Sequence, residues 1–269
     1  MRRSKAAIEK RLPMGQVRRV VLVGVGGTGA ILAEHVVRLA AGFRLRDVEI
    51  VLVDGDRVEA ANVARQAFAF GEIGANKAEA VALRLSGQFC RPVEAIGRHL
   101  TVNDPRSALV GGYGWPTLLI TATDTLHSRR IAATLRTDYW LDVGNDLMFG
   151  QAVLGTTADA RCLRNAWWRW GKYAHALALP TIAAMNPAIG RARPPRRPAG
   201  CAAVPFARQG YGVNAMAALA ASIILKQALV DRAVSTPQVY FDVGKGIMRP
   251  RAITRELLRA WKHAGRRNG

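Results

Sequence analysis

Hydrophobic positions in this chain fall into short unbroken runs separated by stretches with helical spacing. Residues 18–24 and 48–54 are apolar runs of strand length without polar alternation, the pattern of strands covered on both faces. Between them, GVGGTGAILAEHVVRLA starts as a glycine turn and continues as a helix. Residues 76–87 bring Ala78, Val81, Ala82 and Leu85 to one side of a helix. PVEAIGRHL (92–100) and TLLITATD (117–124) read as further strands, the second followed by the helix TLHSRRIAATLRT. YWLDVGN and GQAVLG (150–155) read as two strands joined at a turn. QVYFDVGKGIMRPRAI alternates about Gly-Lys-Gly and reads as a late hairpin.

Strands alternating with helices predict an α/β fold: a doubly wound, mostly parallel, Rossmann-like sheet with a C-terminal β-hairpin. The pattern weakens over residues 156–209, where Pro194, Pro195, Pro198 and Pro205 crowd together, and this span is expected to be a long crossover segment. After it, GVNAMAALAASIILKQALVD reads as a buried helix with Asn214 as its N-cap. The organisation expected is a basic arm over 1–17, one nucleotide-binding domain over 18–255, and a basic tail over 256–269.

Composition adds bounds. With 269 residues, half of them apolar, the chain can bury a sizeable core. Its three cysteines, Cys90, Cys162 and Cys201, lie far apart, which excludes a disulfide framework or a CxxC zinc site, so no zinc is expected. The start, MRRSKAAIEKRLP, has no apolar run behind it long enough for a signal peptide, and the next run, VVLVGVGGTGAILA, is cut by glycines and too short for a bilayer span, so a soluble protein of a reducing bacterial cytoplasm is expected, without membrane attachment. The net charge of +20 comes from 32 Arg and 7 Lys scattered over the whole chain. A nucleic-acid footprint would cluster, and the dense stretches, RARPPRRP (191–198) and the tail, lack interleaved aromatics, so no motif supports nucleic acid.

The glycine turn carries the first chemistry. Gly24, Gly26, Gly27 and Gly29 stand between a strand and a helix, where backbone N–H groups can meet an anion at the positive end of the helix. Asp54, ending the next strand, can accept from ribose hydroxyls. A dinucleotide dehydrogenase needs nothing more after that acid. Here Arg65 follows eleven residues later and Lys77 twelve beyond, cations suited to a triphosphate. Asp124 ends the strand LLITATD on the same edge of the sheet, where a carboxylate beside phosphates suits magnesium. A nicotinamide dehydrogenase would leave Arg65, Lys77 and Asp124 without roles.

These segments together, GVGGTG, VDGDRVEAANVARQAF, IGANKAEA and ATDTLHSRR, resemble the ThiF, MoeB and ubiquitin-activating adenylyltransferase family over roughly residues 18 to 250. Within it the likeness is nearest to the ThiF-type branch of bacterial PRTRC plasmid-associated systems. The resemblance implies ATP at the Gly24–Gly29 turn, ribose at Asp54 of the Asp54–Asp56 pair, phosphates at Asn62, Arg65, Gln66 and Lys77, and magnesium on Asp124. It also implies a homodimer and, as partner, a small ubiquitin-like protein with a free C-terminus, whose carboxylate becomes an acyl adenylate. In some members an arm lends an Arg to the partner's site, for which Arg2, Arg3 and Arg11 are candidates. The chain departs from the family in lacking paired CxxC motifs, and its crossover reads AGCAAVPFARQ. Cys201 there is a possible nucleophile, although no His lies nearby in sequence to activate it. The altered crossover leaves open a non-catalytic scaffold that binds nucleotide and a partner.

Overall fold

The computed structural model describes residues 9–103, 109, 115–164, 167–170, 173–176, 178–193 and 210–254. Its first half runs β1 (Glu9–Pro13), β2 (Arg19–Val23), α1 (Gly27–Gly42), β3 (Glu49–Val53), α2 (Ala60–Val63), α3 (Lys77–Phe89), β4 (Glu94–Ile96), β5 (Thr117–Thr121), α4 (Leu126–Thr134) and β6 (Tyr139–Asn145). The second half runs β7 (Phe149–Gly155), α5 (Ala160–Arg164), β8 (Trp167–Trp170), β9 (Tyr173–Ala176), α6 (Ile182–Met185), α7 (Ala188–Arg191), α8 (Tyr211–Lys226), β10 (Ala233–Val234), β11 (Gln238–Asp242) and β12 (Ile247–Arg251).

Eight strands form one sheet in the order β12-β11-β7-β6-β5-β2-β3-β4. The five from β6 to β4 are parallel, and β7, β11 and β12 continue the sheet antiparallel. Burial of both faces explains the unbroken apolar runs. In β2, Val20 and Leu22 join the core beneath α1, α3 and α8, whereas Val21 and Val23 join the core beneath α4, α6 and α7. The helix α1 presents Ala30, Ala33, Val37 and Ala40 inward at helical spacing. Across it lies α8, whose buried Ala217, Ala218, Ala220 and Ala221 let the two helices approach closely. The run Tyr211–Asp231 is long and apolar enough to cross a membrane by length and composition. Here it packs on α1 and on β6, β7 and β11.

Three expectations change. The span expected as a crossover of weak periodicity carries α5, β8, β9, α6 and α7, and β8 and β9 pair as a hairpin. With β1 and β10 they build a second sheet, β10-β1-β9-β8, so part of the N-terminal arm is a strand. These strands are only two to five residues long, and β1 pairs with β9 and β10 from far along the sequence, which is why periodicity does not reveal the sheet. The strand expected over 92–100 pairs only over Glu94–Ile96, because the chain bends at Arg98 and leaves this sheet edge. Finally, α8 is capped by Gly210, not by Asn214. Asn214 lies one turn inside the helix, buried, and its side chain serves a different purpose.

Candidate active site

The chain crosses the sheet one way through β2, β3 and β4 and the other way through β5 and β6, so the carboxyl ends of β2 and β5 part into a crevice. A cleft of about 480 Å³ opens there. It brings together Gly24, Gly26 and Gly27 of the turn, Asp54 and Asp56, Arg65 and Gln66, Lys77, and Asp124. Gly29 and Asn62 lie behind its walls. Cys201, Arg2 and Arg3 lie outside the described residues, and Arg11 sits in β1 of the second sheet.

The turn must be glycine at its first position. Gly24 has φ +90°, and a Cβ there would stand 2.6 Å from the Ala122 carbonyl oxygen of the neighbouring strand end. The helix α1 then starts with no side-chain cap and no acid in its first turn. Its positive end therefore carries no counter-charge from its own first turn and meets the cleft directly.

Asp54 closes the next side. Its Oδ2 accepts from the Val25 N–H at 2.6 Å and its Oδ1 from the Asp56 N–H at 2.8 Å, which ties the end of β3 to the glycine turn. Burial raises the carboxyl above its ordinary value, and this outweighs the two N–H donors that favour the charged form. Asn76 caps α3 by accepting from the Ala78 and Glu79 N–H groups, and its Nδ2 donates to the Asp54 and Asp56 carbonyls. Strand end and helix start are thus stitched by one side chain. That helix begins with Lys77, whose buried Nζ lies 3.2 Å from Asp56 Oδ2. His99 approaches the other oxygen of Asp56 at 3.5 Å.

Asn62 sets the orientation of the next pair. Its Oδ1 accepts from the Glu59 N–H at 2.9 Å, and its carbonyl accepts from the Arg65 and Gln66 N–H groups. The role of Asn62 here is to turn the chain so that Arg65 and Gln66, each buried, line the cleft. Opposite them, Asp124 is exposed on the cleft wall, and the cap of α4 is Thr125, which accepts from the Ser128 N–H. Three buried polar atoms of lining residues, Gln66 Oε1, Thr123 Oγ1 and His127 Nδ1, have no hydrogen-bond partner among the described residues. Buried polar atoms of that kind cost stability unless a ligand or water meets them.

Sequence reasoning missed the residue that joins these walls. Asn214 Nδ2 donates to the Arg65 carbonyl at 3.0 Å, and Asn214 Oδ1 lies 3.2 Å from Thr28 Oγ1 and 3.4 Å from Asn145 Nδ2. It thereby links the start of α1, the loop carrying Arg65, the end of β6 and α8. The available signal is a lone amide within an apolar helix, since such a group is buried only with partners.

Fold and cleft define a doubly wound α/β protein with an anion-receptive crevice at its switch point. The ThiF family model matches residues 11–166, more than half of the chain, and the chain belongs to that family. It is 37% identical over 82 residues to ubiquitin-like modifier-activating enzyme 5 of Drosophila grimshawi, a segment that is 30% of this chain and 19% of that relative. PaaA superposes with a TM-score of 0.55 at 14% identity, covering 87% of this chain and 64% of PaaA. Escherichia coli MccB, solved with ATP, superposes with a TM-score of 0.54 at 17% identity, covering 88% of this chain and 64% of MccB. At such identities the likeness is one of fold. The match spans under a fifth of the curated relative and under two thirds of each solved chain.

Proposed function

We propose that this protein is an ATP-dependent adenylyltransferase that activates the C-terminal carboxylate of a small ubiquitin-like or sulfur-carrier-like protein as an acyl adenylate. The observation that carries the reading is the meeting of Arg65, Lys77 and Asp124 with the uncapped start of α1 in one cleft. Membership of the ThiF family agrees with it, as does the fold shared with MccB, a protein solved with ATP. The reading includes a homodimer in a reducing cytoplasm.

The residues present fit a magnesium triphosphate. The start of α1 and the guanidinium of Arg65 hold phosphate oxygens, and Lys77 adds a compact charge. Asp54 has a second lone pair on each oxygen for ribose hydroxyls. Asp124 would hold magnesium, whose charge offsets that of the phosphates when it is bound. A carboxylate oxygen bonds to the α-phosphorus, the bond from that phosphorus to the bridging oxygen breaks, and pyrophosphate leaves with the electron pair. No general base is needed, because the nucleophile is already ionised at neutral pH. The chain's contribution is positioning and charge neutralisation.

The test is ATP–pyrophosphate exchange with a candidate ubiquitin-like protein, beside thermal unfolding with ATP and magnesium or with NAD. Exchange and a larger Tm rise with ATP are expected. Equal or greater stabilisation by NAD defeats the adenylation reading, and nucleotide binding without exchange supports the scaffold.

A further inference from the structure

On the face of the sheet covered by α4, a buried polar chain ends on an arginine that the phosphate contacts above do not use. Trp140 Nε1 donates to Thr121 Oγ1 at 2.9 Å, and the Thr121 hydroxyl donates to Asp142 Oδ1 at 2.7 Å. Arg129 donates to that same oxygen through Nε, also at 2.7 Å. Asp142 is 1% exposed, so losing its partner would leave a buried carboxylate uncompensated.

An arginine frequently lays two donors on a carboxylate as a fork. This one spends a single donor: among the described residues, Asp142 Oδ2 is buried without a hydrogen-bond partner and the two terminal nitrogens of Arg129 have none. The side chain keeps 12% exposure. Its Nη2 stands 2.7 Å from where a Cβ on Gly144 would be, and Gly144 lines the cleft. Glycine there lets the guanidinium tip reach the backbone beside the cleft, where any side chain would push it away. The phosphate cations Arg65 and Lys77 come from the β3–α3 side of the switch point, whereas Arg129 and Gly144 come from the β5–β6 side.

We propose that Arg129, anchored through Nε on Asp142, is a substrate-binding residue that receives the terminal carboxylate of the incoming chain at Gly144, opposite the phosphates. This rests on the adenylation reading and deepens it: two cations serve the leaving group and a third, fixed from behind, holds the nucleophile. Clamping one carboxylate oxygen leaves the other for attack, and the anchor keeps the guanidinium from following the carboxylate into the phosphates.

The experiment titrates the full chain, without nucleotide, with a fluorescent heptapeptide ending in Gly-Gly, as free acid and as C-terminal amide. Wild type should prefer the acid by roughly 10- to 100-fold, the range for a hydrogen bond to a charged group. Arg129→Gln should bind acid and amide alike, with amide affinity unchanged. Should Arg129→Gln fail to fold because Asp142 loses its partner, Gly144→Ala keeps the ion pair, displaces the tip and should abolish the same preference. A wild type that does not prefer the acid, or a preference surviving in both variants, overturns the proposal. Pyrophosphate exchange is measured separately, so an acid preference without exchange condemns the adenylation reading while supporting the site at Arg129.

Discussion

The parallel and antiparallel halves of the large sheet differ in what each can offer chemistry. Strands β2, β3, β5 and β6 are buried on both faces, and their carboxyl ends release loops over one edge. Short turns join β6 to β7 and β11 to β12, while β7 and β11, remote in sequence, pair antiparallel, so this half releases fewer long loops over that edge. Their outer edge is defended rather than functional: β12 exposes Arg249, Pro250 and Arg251, and the Arg251 guanidinium lies 5.9 Å from the Tyr240 ring centre. Charge and proline on an edge strand discourage pairing with another chain. The cleft takes its charged groups from the parallel half and its floor from β6, where the two halves join. A binding edge needs splayed strand ends, not merely strands.

The sharpest way to break that comparison is to remove one charge from each half. Lys77→Met keeps an apolar stem in the buried position and should lower pyrophosphate exchange by about 10²–10³, with little loss of stability because its partner Asp56 is an exposed acid. Arg249→Ala, the matched change on β12, should leave exchange intact and move unfolding free energy by no more than about 0.5 kcal/mol. Comparable losses of exchange from both would erase the distinction.

Next in size is the residue that the second half of the chain lends to the first. Asn214→Ala strips a donor from the Arg65 carbonyl and partners from Thr28 and Asn145. It should cost about 1–3 kcal/mol in urea unfolding and weaken ATP binding as well. Unchanged stability would show that the walls hold together without it.

The smallest effect is one of pH. Burial raises Asp54 above its ordinary value of 3.8, so the folded protein takes up that proton at a higher pH than the unfolded chain does. By linkage, the folded state binds more protons in the window between 3.8 and the raised folded value, so stability from this group increases as pH falls through it. Above the window its contribution is constant. Urea unfolding of wild type and Asp54→Asn at stepped pH should show the difference turning towards wild type on acidification. The opposite slope would mean that the N–H donors from Val25 and Asp56 outweigh burial.

The sequence is most legible where local and global requirements coincide. The strand before Gly24, the turn and α1 announce themselves through period, glycine and order, and Arg65 and Lys77, singled out as cations after a strand-end acid, do line one cleft with Asp54. Asn62 reads as a phosphate ligand, but its role in turning the loop depends on a Glu59 contact that composition does not reveal. Asn214 reads as a boundary because an amide before an apolar run favours a cap, whereas Gly210 takes that task and leaves the amide to tertiary partners. The second sheet escapes notice because β1, β9 and β10 meet only after most of the chain has folded over itself. Arg129 looks like one of many scattered arginines. Only the buried Asp142 beneath it sets it apart.

The bond between Thr28 and Asn214 spans 186 residues. A growing polypeptide that has left the ribosome only through α4 already carries the glycine turn, Arg65, Lys77 and Asp124, but its loop lacks the Asn214 bond to the Arg65 carbonyl. Closing so long a loop is slow relative to local pairing, so the cleft takes its final shape only after α8 has been synthesised and docked. Completion of the cleft thus becomes a late checkpoint of biosynthesis: a truncated or stalled chain would present the right residues and still fail to assemble them.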